Sequence, residues 1–143
     1  MENEYYYEVE STEDISKALK EAESAGVTLN YFNAVFLLRG EAGRPISVDT
    51  SLRNLYVVAR GPAPVRASGE ALVVAEESAI VYATDSSAVV ARGHATVYAY
   101  DQALVDAYDD ASVLVFSDDV DLDVFDRAKV YLTPSGTRRP EAE

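Results

Sequence analysis

With 143 residues, 48% of them hydrophobic, the chain has room for one domain and is too apolar for disorder, despite a formal net charge of −13. It has no cysteine, which excludes disulfides, thiol nucleophiles and thiolate metal sites. Twenty-five acidic against twelve basic residues disfavour direct binding to nucleic acid or an anionic membrane, which draws on Lys and Arg, and leave a basic partner protein compatible.

The chain opens on MENEYYYEVE, acidic where a secretory leader is basic and then apolar, and no apolar run reaches the ~18–20 residues of a bilayer span. The expectation is a soluble, cytoplasmic protein. EYYYEVE reads as a strand. STEDISKALKEAESAG reads as a helix with a capping box, Ser11 with Asp14 three residues on, and a stop at Gly26. Ile15, Ala18, Leu19 and Ala22 share one face of it. VTLNYFNAVFLLRG reads as a second strand. Residues 1–54 are therefore expected to form a small α/β cap.

From Leu55 an eight-residue phrase repeats. With Ala95 as position 1, position 3 is Val57, Val65, Val73, Val81, Val89, Val97, Val105 and Val113. Position 5 is Ala59, Ala67, Ala75, Ala83, Ala91, Ala99, Ala107 and Val115, and position 1 is mostly Ala. Apolar residues at 1, 3 and 5 have the period of a strand with one buried face. Gly and Asp at position 7 suit a corner. One extra residue enters near Asp118–Asp119, after which Val120, Leu122, Val124 and Ala128, Val130, Leu132 restore the pattern.

A short fixed period of strand and corner predicts a mainly β fold, a β-solenoid (β-helix) over 55–132. Position 4 alternates between Tyr82, Tyr98, Leu114, Tyr131 and Val74, Val90, Asp106, Asp123, so two octads make one coil of sixteen residues. The expectation is a flattened, two-sided stack of about five coils rising ~23 Å. Free strand edges at either end invite pairing. The cap covers the first, while the second ends with Lys129 in the last strand and Pro134 beyond it. Residues 133–143 are expected to be a flexible tail.

The octad, as in HATVYAYDQ, resembles the repeats of bacterial ice-nucleation proteins, whose coils pair two eight-residue units around small core residues. The resemblance covers roughly half of the chain and implies architecture alone. That family's ice-binding activity goes with outward Thr-x-Thr ladders, whereas the outward positions here hold Tyr, Val, Leu and Asp.

Signatures of catalysis are scarce: no Gly-x-Ser-x-Gly elbow, no P-loop and no Gly-x-Gly-x-x-Gly. His94, the single histidine, falls on a corner, where it reads as a solvent-exposed residue rather than a base for Ser87. The expectation is a protein that is not an enzyme and carries no cofactor. Clustered carboxylates suit Ca²⁺, yet the glycine-rich nonapeptide of calcium β-rolls is missing.

Charge supplies the candidate site. Asp101, Asp106, Asp109, Asp110, Asp118, Asp119, Asp121, Asp123 and Asp126 fall in a segment without Lys or Arg until Arg127. The two-octad coil stacks Asp106 near Asp123 and Asp109 near Asp126, which like-charge repulsion disfavours unless solvation or a partner offsets it. Tyr98, Tyr100, Tyr108, Phe116 and Phe125, at positions 4 or 6, read either as a stacking ladder or as anchors for a partner. Together these residues predict a surface for a basic protein, in its sharpest form a nucleic-acid mimic inhibiting a restriction or CRISPR complex. The competing expectation is an assembly module that self-associates, as a homodimer or stack, through its open C-terminal edge.

Overall fold

The small triplet Ala-Val-Ala leaves only a narrow space between two facing strands, and the chain fills it by winding. The computed structural model describes residues 5–30 and 33–132, which form thirteen strands and one α-helix. In chain order they are β1 (Tyr5–Val9), α1 (Thr12–Ser24), β2 (Ala34–Leu38), β3 (Ile46–Val48), β4 (Tyr56–Ala59), β5 (Val65–Ala67) and β6 (Leu72–Ala75). Then come β7 (Ile80–Ala83), β8 (Ala88–Ala91), β9 (Thr96–Ala99), β10 (Leu104–Ala107), β11 (Ser112–Val115), β12 (Asp121–Val124) and β13 (Lys129–Leu132).

Two parallel sheets result. A front sheet runs β1-β2-β4-β6-β8-β10-β12, and a back sheet runs β3-β5-β7-β9-β11-β13. Val74 lies opposite Val58 and Val90, and Val81 opposite Val65 and Val97, sixteen residues apart in each case. The protein is a two-sided β-solenoid, as the octad requires. The extra residue near Asp118 shows as a spacing of seventeen, with Asp106 opposite Asp123 and Leu114 opposite Tyr131.

Val73, Val81, Val89, Val97, Val105 and Val113 fill the centre of the core, with the alanines of positions 1 and 5 on either side, all essentially inaccessible to water. Alanine there lets the two sheets converge towards the corners. Ser87 takes an alanine position and is fully buried, and its hydroxyl donates to the Thr84 carbonyl at 2.8 Å, so no polar atom is stranded.

The corners explain the Gly and Asp of position 7. In most octads the position 1 N–H donates to the position 6 carbonyl, as from Ala95 to Arg92 and from Ala111 to Tyr108, closing a four-residue turn. Position 7 then has positive φ, 54° to 63° at Gly69, Glu77, Asp85, Gly93, Asp101, Asp109 and Asp126. Glycine and aspartate accept that conformation more readily than most residues.

Upstream of Leu55 the ladder continues without a break. β1 and β2 belong to the front sheet and β3 to the back sheet, so the expected cap is itself the first part of the stack. α1 packs on β1 and β3, closing the N-terminal end of the back sheet. The Ser11 hydroxyl caps the helix by accepting from the Asp14 N–H. The Asp14 carboxylate reaches back to the N–H of Glu10, one residue before the cap. Ile15, Ala18 and Ala22 are buried, with Leu19 half-buried beside them.

One expectation is corrected: VTLNYFNAVFLLRG is not strand throughout. β2 occupies only Ala34–Leu38. Before it, the Asn30 and Asn33 side chains each accept the other's backbone N–H, and this local turn competes with a ladder. The expected tail at 133–143 and Pro134 lie outside the described residues. No helix among the described residues is long and apolar enough to cross a membrane.

Candidate interaction surface

Outward side chains come from positions 2 and 4 of each strand and from the corners, and the solenoid turns sequence spacing into vertical columns. On the front sheet, the position 4 column reads Glu8, Leu37, Val58, Val74, Val90, Asp106, Asp123 from one end to the other. The column is apolar through its middle and acidic at both ends, with one carboxylate at the N-terminal end and two at the C-terminal end. Asp121 stands beside it, opposite Leu104.

After each front strand the chain passes over a corner whose position 6 column is Arg60, Glu76, Arg92, Tyr108, Phe125. Tyr108 and Phe125 stack nearly parallel with centroids 4.8 Å apart, and the Arg92 guanidinium lies 5.4 Å from the Tyr108 ring. Beyond them, at position 7, are Asp109 and Asp126. Asp106, Asp121, Asp123, Tyr108, Phe125, Asp109 and Asp126 thus form one contiguous acidic surface with an aromatic pair through it. Asp110 adjoins it, but Arg127 grips its carboxylate with two hydrogen bonds of 2.9 and 3.1 Å. That contact holds the Asp110 carboxyl below its ordinary range.

Asp106 is perturbed in the opposite sense. Desolvation among its neighbours, and then the negative charge and hydrogen bonding of Asp123, push its pKa above the ordinary carboxylate value. Several other aspartates have a structural task. Asp85, Asp101, Asp109 and Asp126 each accept, through one carboxylate oxygen, the position 7 N–H of the coil before: from Gly69, Asp85, Gly93 and Asp109, at 2.9 to 3.1 Å. These bonds zip the corners together.

The remaining candidates lie elsewhere. Asp101, Asp118 and Asp119 sit on the opposite corner, where the chain returns from back sheet to front. Tyr98 stands on the outer face of the back sheet, stacked on Tyr82 at 4.7 Å, and Phe116 stacks on Tyr100 at 5.0 Å. The expectation that Tyr100 lies outside the core is corrected. It is 1% exposed, because Phe116 of the next coil covers it, and it has no surface to offer a partner. The aromatics do form stacking ladders along the coils.

His94 is exposed on its corner, and Ser87 is sealed in the core with its hydroxyl committed to Thr84, so the two form no catalytic pair. A cleft of about 620 Å³ lies towards the N-terminal end, lined by Glu8, Glu10, Arg39, Arg60 and Glu77 among others, away from the acidic surface. Among the described residues no group of three or more His, Cys, Asp or Glu is placed to hold a metal ion.

Sequence reasoning passed over the apolar half of the front face. Leu37, Val58 and Val74 are nearly inaccessible although they point outward, because Val35, Tyr56 and Val90 crowd around them. The signal was in the chain: Leu72, Val74 and Val90 are apolar at positions 2 and 4, which a solvated face does not require. No protein family, no curated protein and no solved structure matches this chain.

Proposed function

We propose that this protein is a non-enzymatic binding protein whose acidic surface, Asp106, Asp121, Asp123, Asp109 and Asp126 with the Tyr108–Phe125 pair, engages a basic surface of another protein. The observation that carries the reading is convergence: residues scattered over twenty-one positions of sequence share the front face and the adjoining corner of two adjacent coils. Stacked strands and corner hydrogen bonds hold the carboxylates in place, so little side-chain freedom is lost on binding.

The charge density suits a surface that normally meets nucleic acid. Two adjacent coils with their side chains span about 10 Å, over which B-DNA presents about six phosphates. Five carboxylates on that height are comparable. The stacked aromatic pair supplies the apolar contact that pure charge lacks. The preferred partner class is thus a basic nucleic-acid-binding protein or complex, met as an inhibitor or competitor of its nucleic acid.

The test is retention of such proteins on immobilised full chain at low salt, with duplex DNA as competitor. Retention lost to salt and to DNA, and lost with Asp106→Asn, Asp121→Asn and Asp123→Asn combined, is the expected outcome. Retention of no basic nucleic-acid-binding protein, or retention unchanged by the triple substitution, refutes the proposal.

A further inference from the structure

The two ends of the solenoid are finished differently. At the N-terminal end α1 lies over the edge of the back sheet, and the Thr12 hydroxyl accepts the outward N–H of Ser47 in β3 at 3.0 Å. At the C-terminal end β12 and β13 are terminal in their sheets. The Asp121 and Phe125 N–H groups turn back to Ala103 and Ala107, and that of Lys129 turns back to Ala111. By alternation, the N–H and C=O of Leu122, Val124 and Val130 point out of the open end. The last layer of the core is open with them: Val124 is 44% exposed and Leu132 77%.

We infer that the open end is closed by a second copy of this chain, related by a two-fold axis, with β12 of each copy antiparallel to β13 of the other. Charge selects this arrangement. Asp121 and Asp123 stand outward on β12, and Lys129 and Tyr131 outward on β13. Crossed pairing with Leu122 opposite the partner's Val130 places Asp123 opposite the partner's Lys129, and Asp121 opposite the partner's Tyr131. The apolar side chains of both end coils then meet across the axis. The same register pairs the outward backbone groups of Leu122 and Val130. Among the described residues Lys129 belongs to no ion pair, so its charge is available.

The alternatives carry repulsion or obstruction. A two-fold that pairs β12 with its own copy brings Asp121 and Asp123 against the same residues of the partner, and like charges directly opposed are unfavourable. Head-to-tail stacking sets Asp121 and Asp123 beside Glu8 of β1, while β13 runs into α1. The assembly therefore stops at two. The end face is small, roughly 13 Å by 20 Å from strands of four residues and sheets about 10 Å apart, below the about 800 Å² per partner of a standard interface. The dimer is thus expected to exchange, with a population that follows concentration.

The test is sedimentation of the full chain from low micromolar to millimolar concentration. A monomer–dimer equilibrium is expected. Asp123→Lys alone and Lys129→Asp alone each raise the dissociation constant about tenfold, since symmetry places each change at the interface twice, and the combined exchange restores it to within about threefold. Thermal melting of each variant monitors the fold separately. A monomer at every concentration, as when residues 133–143 cover the end instead, overturns the inference. So do open-ended oligomers, or single and combined variants that act additively. The readout is oligomeric state rather than partner retention, so it stands or falls independently of the acidic surface's function.

Discussion

Replacing Asp106 with Asn separates the two demands on the acidic surface. In the folded chain Asp106 faces Asp123 across neighbouring parallel strands, and its other neighbour in the column is Val90. Two unit charges about 5 Å apart repel by about 0.8 kcal/mol in bulk water and by more beside apolar surface, and a like-charged cross-strand pair costs up to about 1 kcal/mol. Asn keeps the shape, removes the charge and can donate a hydrogen bond to Asp123. Asp106→Asn is therefore expected to stabilise the protein by about 1 kcal/mol near neutral pH, raising Tm by about 3 °C for a domain of this size.

The pH dependence carries a signature. Desolvation and Asp123 raise the folded-state pKa of Asp106 above its unfolded value, so the folded protein binds this proton more tightly. Stability contributed by the group is complete below the unfolded pKa and is lost as pH rises through the raised folded value. The advantage of Asn should accordingly be full near neutral pH and shrink as pH falls towards the ordinary carboxylate range near ~4. Calorimetry or circular dichroism melts of both proteins across that window provide the measurement. A Tm that drops on substitution near neutrality, or an advantage that persists undiminished into acid, would show that Asp106 and Asp123 do not repel.

Three further substitutions probe the scaffold. Val89→Ala, at a 1% exposed position in a central coil, removes two methyl groups and is expected to cost about 2 kcal/mol in urea unfolding; a cost below about 0.5 kcal/mol would mean that the core is not closely packed. Asp101→Ala places a β-carbon residue without a polar side chain at φ 54° and removes the carboxylate bonded to the Asp85 N–H, for a loss of about 2 kcal/mol, whereas Asp101→Asn keeps both features and should lose far less. Equal losses from the two would argue against the corner hydrogen bond. Ser11→Ala deletes the cap of α1 and is expected to cost about 1 kcal/mol, read as a lower Tm without any change in the β signal of the solenoid.

Much of the architecture was legible in the chain because a solenoid repeats one local environment. Each octad meets the same neighbours above, below and across, so Val at position 3 and Ala at positions 1 and 5 record the core directly, and the alternation of Tyr and Val at position 4 records two octads per coil. The extra residue near Asp118 was visible as a break in period and returned as the seventeen-residue spacing between Asp106 and Asp123. Less was legible at the N-terminus, where no repeat exists. There residues 1–54 read as a cap feeding the stack, because the contacts of β1–β3 with it are long-range, and VTLNYFNAVFLLRG read as strand although Asn30 and Asn33 form a local turn ahead of β2.

The candidate site divided along the same line. From spacing alone came the stacking of Asp106 on Asp123 and of Asp109 on Asp126, since residues one coil apart must be neighbours. Spacing was silent on which carboxylates are free, and it treated nine aspartates as one surface. Folding distributed them over a sheet face and two corners, bound Asp101, Asp109 and Asp126 to backbone N–H groups of the preceding coil, and let Phe116 seal Tyr100 from water. Periodicity encodes which residues recur in one environment, because each strand sees only its nearest neighbours. How far a side chain is covered depends on contacts between different columns, at the corners and ends of the stack, and these exist only once the coils are laid on one another.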